Sequence, residues 1–243
     1  MYDWCVRQQR QHPRPLSPAT PATVAGVSAE DAVRSVGIAP SPAAQRAPAG
    51  VGGTLRVVVQ RNGLLQVQVG AALLELAPGD IVRQDVAAIV NAANESLANG
   101  GGVCGAIHRA AGVPQLEAAC RALGTCPTGE ARITSGFKLA AQHIIHAVGP
   151  RYRDHTPAHA AQLLENAYRA SLELASIHRL PSIAFPSLST GIFGFPIEQA
   201  APVAVRTIVG YLAEHPEIAL VRLVLRDDTR VAFETELLAL VSA

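Results

Sequence analysis

The sequence predicts an α/β protein in which helices cover both faces of a mostly parallel, mixed central sheet. Two observations support this fold class. Short apolar segments alternate with longer segments of helical periodicity through the second half of the chain. Strands separated by helices of this size need crossover connections, which place the strands parallel and the helices on both faces. We therefore expect three layers, α/β/α.

The N-terminal region differs in composition from the rest. Residues 1–53 are rich in Pro, Ala, Ser and Gly and have little apolar periodicity. Such a segment cannot bury enough apolar surface to offset the entropy of ordering it. We predict a flexible extension over 1–53, with one short helix at 28–38 capped by Ser28, and a single folded domain over 54–243.

The folded domain begins with strands. The alternating segments LRVVVQ and LLQVQV flank an Asn-Gly turn signal, which is typical of a hairpin. The strand ALLELA ends at a Pro-Gly break, and VAAIVNAA is an apolar strand of the kind that is buried on both faces. A helix opens at CGAIHRAAG, and helical structure continues or resumes before the turn residues GTCPTG.

The second half of the domain alternates strands and helices. The predicted strands are EARITSG, HIIHAVG, SIAFPS and IALVRLVLRD. The predicted helices are HAAQLLENAYRASLELASIHR, PIEQAAPVAVRTIVGYLAEH and TRVAFETELLALV. In the first of these helices Leu164, Tyr168 and Leu172 recur at helical spacing, so one face should pack against the sheet.

Charge and cysteine content limit the class of protein. The net charge is +1 and the isoelectric point is near 7.8, which argues against nucleic-acid binding. Four cysteines stand at irregular spacings without a CxxC pair, and the start of the chain has no apolar leader. This pattern favours free thiols in a reducing compartment. We expect a cytoplasmic monomer that needs no membrane, metal or cofactor.

A glycine-rich loop follows the strand VAAIVNAA. Gly100, Gly102 and Gly105 spell GxGxxG, but about ten residues separate these glycines from the strand, whereas the dinucleotide fingerprint follows its strand directly. No Lys-Ser/Thr pair follows them either, which excludes a P-loop. Glycines that lead into a helix still allow an anion to approach the helix amides closely. The loop therefore predicts a phosphate site.

A second loop, PSLSTGIFGFP at 186–196, also joins a strand to a helix. Small residues surround Phe193 and Phe195, both of which we expect to be exposed. Neither loop carries a Lys or Arg before its helix, so binding would depend on backbone dipoles. Two such loops facing each other suit a diphosphate.

Five segments follow one another along the chain: PGDIVRQDVAAIVNAANESL, GGGVCGAIHRAAG, PTGEARITSGFKL, HIIHAVGPRY and AFPSLSTGIFGFP. In this order they resemble the macrodomain family, whose members bind ADP-ribose. The resemblance covers roughly residues 55–240. It is nearest to the MacroD-type hydrolases, which remove ADP-ribose from acidic side chains and deacetylate O-acetyl-ADP-ribose. It implies an α/β/α macrodomain with ADP-ribose or an ADP-ribosylated protein as its ligand.

The resemblance also implies roles for individual residues. Asp80 and the Ile81 amide would bind adenine, although a turn or helix cap also explains Asp80. Asn91 and Asn94 would lie near the distal ribose, and Asn94 is the stronger catalytic candidate. Phe193 would pack against the sugar, unless it is a core aromatic. The residues implied around the phosphates and distal ribose are Gly101, Gly102, Val103, Cys104, Ser189, Thr190, Gly191, Ile192 and Phe193.

Cys104 departs from the family pattern. MacroD-type enzymes have an aspartate in GGVDGAI, where this chain reads GGVCGAI, and a neutral thiol is a poor general base. A helix N-terminus could lower the thiol pKa and make Cys104 a nucleophile, whereas a bound diphosphate would raise that pKa. A small packing residue is the preferred interpretation of Cys104. The preferred hypothesis is hydrolysis of ADP-ribosyl esters, slow and helped by a substrate phosphate. The alternative is a reader that binds ADP-ribosylated proteins without cleaving them.

Other candidate residues have simpler interpretations. Cys104 and His108 have a metal-chelating spacing, but no further ligands match it. His143 and His146 should point to opposite sides of their strand or differ in depth, as core or surface residues. Arg151 could border the cleft near a phosphate, and a solvated turn arginine is the default interpretation.

Overall fold

The computed structural model describes residues 55–61 and 63–243. The predicted extension over 1–53 and its helix at 28–38 lie outside the described residues, as does Asn62 of the hairpin turn. In the described part of the chain, no helix is both long and apolar enough to cross a membrane.

The described residues form eight strands and five α-helices. The strands are β1 (Leu55–Arg61), β2 (Leu64–Val69), β3 (Ala72–Ala77), β4 (Ala88–Ala92), β5 (Ala131–Ser135), β6 (His143–Ala147), β7 (Ser182–Phe185) and β8 (Leu220–Val224). The helices are α1 (Gly102–Ala111), α2 (Val113–Leu123), α3 (Pro157–Ile177), α4 (Ile197–Glu214) and α5 (Asp227–Val241). Single 3₁₀ turns span Ile81–Arg83 and Tyr152–Asp154.

All eight strands belong to one mixed sheet with the order β1-β2-β3-β8-β7-β4-β6-β5. Five neighbouring strands in this order, β3, β8, β7, β4 and β6, are parallel to one another. Strands β1, β2 and β5 are antiparallel to their neighbours. One core cluster contains side chains of α3, α4 and α5, and a second contains side chains of α1 and α2. The predicted three-layer, mostly parallel architecture is therefore confirmed.

The predicted helical faces pack as expected. Leu164, Tyr168 and Leu172 of α3 are buried in the larger core, since their spacing places them on one side of the helix. Tyr168 also has a polar contact, because its hydroxyl accepts a hydrogen bond from the backbone N–H of Leu188 at 3.2 Å. This bond attaches α3 to the beginning of the second loop.

Helix α1 begins earlier than the sequence predicts. It starts at Gly102 rather than at Cys104, because Gly102 is already in the helix, while Gly101 is its N-cap and Gly100 precedes it. It ends at Ala111 and is followed by its C-cap Gly112, whose φ of 100° is in the range that favours glycine, and α2 begins at Val113. The glycine loop therefore leads directly into the helix N-terminus.

The sheet order determines where the two loops meet. Strand β4 leads through the first loop into α1, and β7 leads through the second loop into α4. Strands β4 and β7 are hydrogen-bonded parallel neighbours, so their carboxyl ends lie side by side. This is the edge at which open α/β sheets bind ligands.

Candidate functional site

The glycine loop is shaped by one close backbone contact. A Cβ atom on Gly105 would overlap the Gly100 carbonyl oxygen, so the loop packs directly on the first turns of α1. Gly102 has a φ of 58°, which also favours glycine. No side chain caps the helix at Gly101, and residues 100–102 are exposed. The first amides of α1 are therefore left to bind solvent or an anion.

Asn94 holds the loop between β4 and the glycines in shape. Its Oδ1 accepts hydrogen bonds from the Ala98 backbone N–H at 3.0 Å and from the Ser96 hydroxyl at 2.8 Å. Its Nδ2 donates to the Ala98 carbonyl at 2.8 Å. Asn94 is half-buried at the start of the loop, and its contact with a ribose stays a prediction.

Asn91 lies deeper than Asn94, below the glycine loop. Its side chain is 1% exposed, and its Nδ2 lies 3.1 Å from His146 Nδ1 and 3.7 Å from Cys104 Sγ. In the described part of the chain, its Oδ1 has no hydrogen-bond partner. A buried oxygen without a donor is unusual in a folded protein, so a ligand or a water is the expected partner.

Cys104 fills the space between the loop and the sheet. It is 6% exposed, and its thiol donates to the Ala98 carbonyl at 3.6 Å. Burial raises the pKa of the Cys104 thiol, and the hydrogen bond from Asn91 opposes this only in part. Burial therefore favours the neutral thiol over the thiolate that a nucleophilic Cys104 would need.

Asp80 lies at the opposite end of the site, just after β3. It caps the 3₁₀ turn Ile81–Arg83, since its Oδ1 accepts a hydrogen bond from the Val82 N–H at 3.2 Å. Its side chain is exposed, whereas that of Ile81 is buried, and α1 packs against this turn. The capping interpretation of Asp80 is thus present in the structure, and its contact with adenine stays a prediction.

Ser189 lies at the strained centre of the second loop. It has a φ of 64°, unusual for a residue with a side chain, and its buried Oγ has no partner among the described residues. A Cβ on Gly149 would overlap this oxygen. The adjacent Thr190 donates to the Ser187 hydroxyl at 2.8 Å. Backbone strain with an unpaired hydroxyl is typical of functional loops.

The aromatic residues of the second loop separate into two environments. Phe195 is 2% exposed and packs on Tyr152 with ring centroids 4.8 Å apart, so the expectation that it is exposed is wrong. Its apolar ring helps to join the loop to the core. Phe193 is half-buried, with the Arg151 guanidinium 5.1 Å from its ring centroid, whereas Ile192 is 91% exposed. Arg151 therefore contacts an aromatic ring and is not only solvated.

The sequence did not indicate the network behind Asn91. His146 is fully buried and contacts both Asn91 and Thr134, although its position opposite to His143 on the strand was predicted. A partial signal was present, because His146 stands between the apolar residues Ile145 and Ala147 and Thr134 follows the apolar Ile133. Within the described residues, no three His, Cys, Asp or Glu side chains could hold a metal, His108 included.

Comparison with known proteins agrees with this geometry. The Macro domain family model matches residues 90–204. A macro domain-containing protein of Chlorobaculum tepidum is 54% identical over 143 residues, which cover 58% of this chain and 81% of that protein. The rat ADP-ribose glycohydrolase MACROD1 is 49% identical, and the match covers 59% of this chain and 55% of the relative.

Solved structures give the same result. A variant of the Oceanobacillus iheyensis macrodomain, determined with ADPR, superposes with a TM-score of 0.70 at 41% identity. The match covers 74% of this chain and 100% of the Oceanobacillus chain. With its loops at the ends of β4 and β7, this chain belongs to the macrodomain family.

Proposed function

We propose that the protein binds ADP-ribose between the two loops and hydrolyses ADP-ribosyl esters. The observation that supports this most directly is the pair of adjacent loops at the ends of β4 and β7, one of which ends in an uncapped helix N-terminus. Neither loop supplies a Lys or Arg, so the amides would bind the anion. The substrate class is mono-ADP-ribosylated Asp or Glu, or O-acetyl-ADP-ribose.

The order of side chains along the edge suits an extended dinucleotide-like ligand. Asp80 accepts the adenine amino hydrogen with a carboxylate oxygen, and the two glycine-containing loops bind the diphosphate. The residues at the distal ribose are Asn91, Asn94 and Phe193. In this proposal Phe193, whose ring centroid lies 5.1 Å from the Arg151 guanidinium, packs against the sugar.

Cleavage must proceed without a carboxylate at position 104. Burial keeps the Cys104 thiol neutral, so it cannot take a proton from water at physiological pH. In our proposal a substrate phosphate accepts that proton, and the asparagine side chains orient the water. The water's hydroxyl joins one carbon of the ester C–O bond as that bond breaks, and the phosphate passes the proton to the oxygen that leaves, so the products are a carboxylic acid and ADP-ribose. Related proteins that carry the name ADP-ribose glycohydrolase support hydrolysis.

A reader without catalytic activity is the second candidate, and Cys104 is the observation that favours it. A buried neutral thiol packs well beneath a bound ligand and offers little to a hydrolytic step. Deacetylase specificity, a cytoplasmic location and a monomeric state stay predictions.

The proposal is tested by release of ADP-ribose from a glutamate-linked, mono-ADP-ribosylated protein. Wild type should release it, and Asn94→Ala should release much less, because the variant removes three hydrogen bonds that shape the loop. If ADP-ribose binds but nothing is released, the protein is a reader. If ADP-ribose does not bind to wild type in calorimetry, both candidate functions are wrong.

The protonation state of Cys104 gives a separate prediction. Because its thiol pKa is raised, Cys104 should stay protonated from pH 6 to 8, so Cys104→Ser should keep the shape of the pH–rate profile. Rates of both proteins measured across this range check the expectation. A wild-type rate that rises with pH through a group absent from the serine variant would show that a thiolate participates.

A further inference from the structure

A buried chain of hydrogen bonds connects the edge of the sheet to the glycine loop. Thr134 Oγ1 on β5 lies 2.9 Å from His146 Nε2 on β6. His146 Nδ1 lies 3.1 Å from Asn91 Nδ2 on β4, and Asn91 Nδ2 lies 3.7 Å from Cys104 Sγ on α1. All four side chains are at most 6% exposed. The chain therefore runs through the core without help from bulk solvent.

Two directions of donation are compatible with these positions. In the first, His146 carries its proton on Nε2 and donates to Thr134, whose hydroxyl donates to the Ser135 carbonyl at 3.2 Å. His146 Nδ1 then accepts from the Asn91 amide. In the second, Thr134 donates to Nε2, the proton is on Nδ1, and the Asn91 amide group must turn so that its oxygen faces His146.

The first direction leaves less unpaired polarity in the core. It uses both hydrogens of Asn91 Nδ2, one toward His146 and one toward Cys104, and leaves only Asn91 Oδ1 without a partner. The second would leave both amide hydrogens of Asn91 without partners in the core, whereas the carbonyl of the exposed Ser135 can bind solvent in either case. Unpaired buried N–H groups are rarer than unpaired C=O groups. Burial also lowers the pKa of His146 to about 3, so its ring is neutral and one nitrogen is an acceptor.

We propose that Thr134 and His146 are positioning residues for the ligand. By fixing the Nε2–H form of His146, they hold the Asn91 amide so that Oδ1 stays available to accept a hydrogen bond from a ribose hydroxyl. Neither residue contacts the ligand itself. This inference rests on the proposed function, since it names residues that orient one side of the same site.

Thr134→Val tests the inference with little change in shape. Valine removes the acceptor of the Nε2 proton and leaves only the Cys120 thiol, 3.9 Å away and a weak partner. The ring proton should move to Nδ1, and Asn91 should turn. The dissociation constant for ADP-ribose, measured by calorimetry, should rise about fivefold to tenfold, the size expected for one lost or reversed hydrogen bond. Thr134→Ser keeps the hydroxyl and should restore wild-type affinity.

Thr207→Val is the matched control. Thr207 is also a buried threonine, at 7% exposed, but its hydroxyl donates only to the Val203 carbonyl of its own helix. The affinity of the Thr207→Val variant for ADP-ribose should equal that of wild type. Equal affinity of the Thr134 and Thr207 variants would overturn the inference, as would a weakened Thr134→Ser variant.

The tautomer of His146 can be measured without any variant. Nitrogen NMR of the imidazole in unliganded wild type should show the proton on Nε2. A proton on Nδ1 would overturn the inference even if Thr134→Val fails to fold. Because this measurement needs no ligand, it separates failure of the inference from failure of the proposed function, which appears as absence of ADP-ribose binding to wild type.

Discussion

Gly105→Ala is expected to weaken ADP-ribose binding by roughly tenfold to a hundredfold. The new Cβ would overlap the Gly100 carbonyl oxygen, a backbone atom that cannot rotate away as a side chain can. The loop would have to lift from α1, and its amides would no longer point at one position. Titration calorimetry with ADP-ribose measures the change.

Gly210→Ala is the matched control for this variant. Gly210 also lies inside a helix, α4, but a Cβ there meets open space. Alanine favours helix over glycine, so this variant should melt slightly above wild type and bind ADP-ribose equally well. Equal affinity of the Gly105 and Gly210 variants would mean that the glycine loop does not hold the ligand.

Cys104→Asp should raise turnover of a glutamate-linked substrate by about a hundredfold or more, the usual contribution of one general base. Asn91 Nδ2 already lies beside position 104 and would donate to the new carboxylate, whereas the Ala98 carbonyl would lose its thiol donor. We therefore expect a gain in activity together with a lower melting temperature. Single-turnover release of ADP-ribose measures the first and thermal unfolding the second.

Cys104→Asn separates base catalysis from a change in shape. Its side chain has the size of aspartate but cannot take a proton, so it should not raise turnover. If both variants stay at the wild-type rate while ADP-ribose still binds, position 104 is not where a base acts in this site, and the reader hypothesis gains support.

Much of the fold was predictable because its signals are local. The periodicity of Leu164, Tyr168 and Leu172 in α3 depends only on neighbouring residues and on one buried face. Phe195 was misjudged because its burial depends on Tyr152, which lies far away in the sequence. A flanking glycine turn suggests exposure, but only the path of the chain shows what covers the ring.

The two loops of the candidate site were predictable from the sequence, but the buried contacts beneath them were not. The glycine loops follow from composition and from their place after strands. The contact between Asn91 and His146 does not, because it joins β4 to β6 across the sheet and a sequence without its fold gives no register for these strands. The raised pKa of Cys104 also follows from burial, which the helix N-terminus alone does not indicate.

The hydrogen bonds that Asn94 makes within its own loop have a further consequence. They connect the beginning of the loop to Ala98 in the absence of a ligand, so the loop is preorganised. Binding then costs little of the conformational entropy that ordering a flexible segment would cost. Association should then proceed as a rigid docking step, with residence time rather than encounter rate distinguishing good ligands from poor ones. Differences in affinity between ligands should therefore appear chiefly in their dissociation rates.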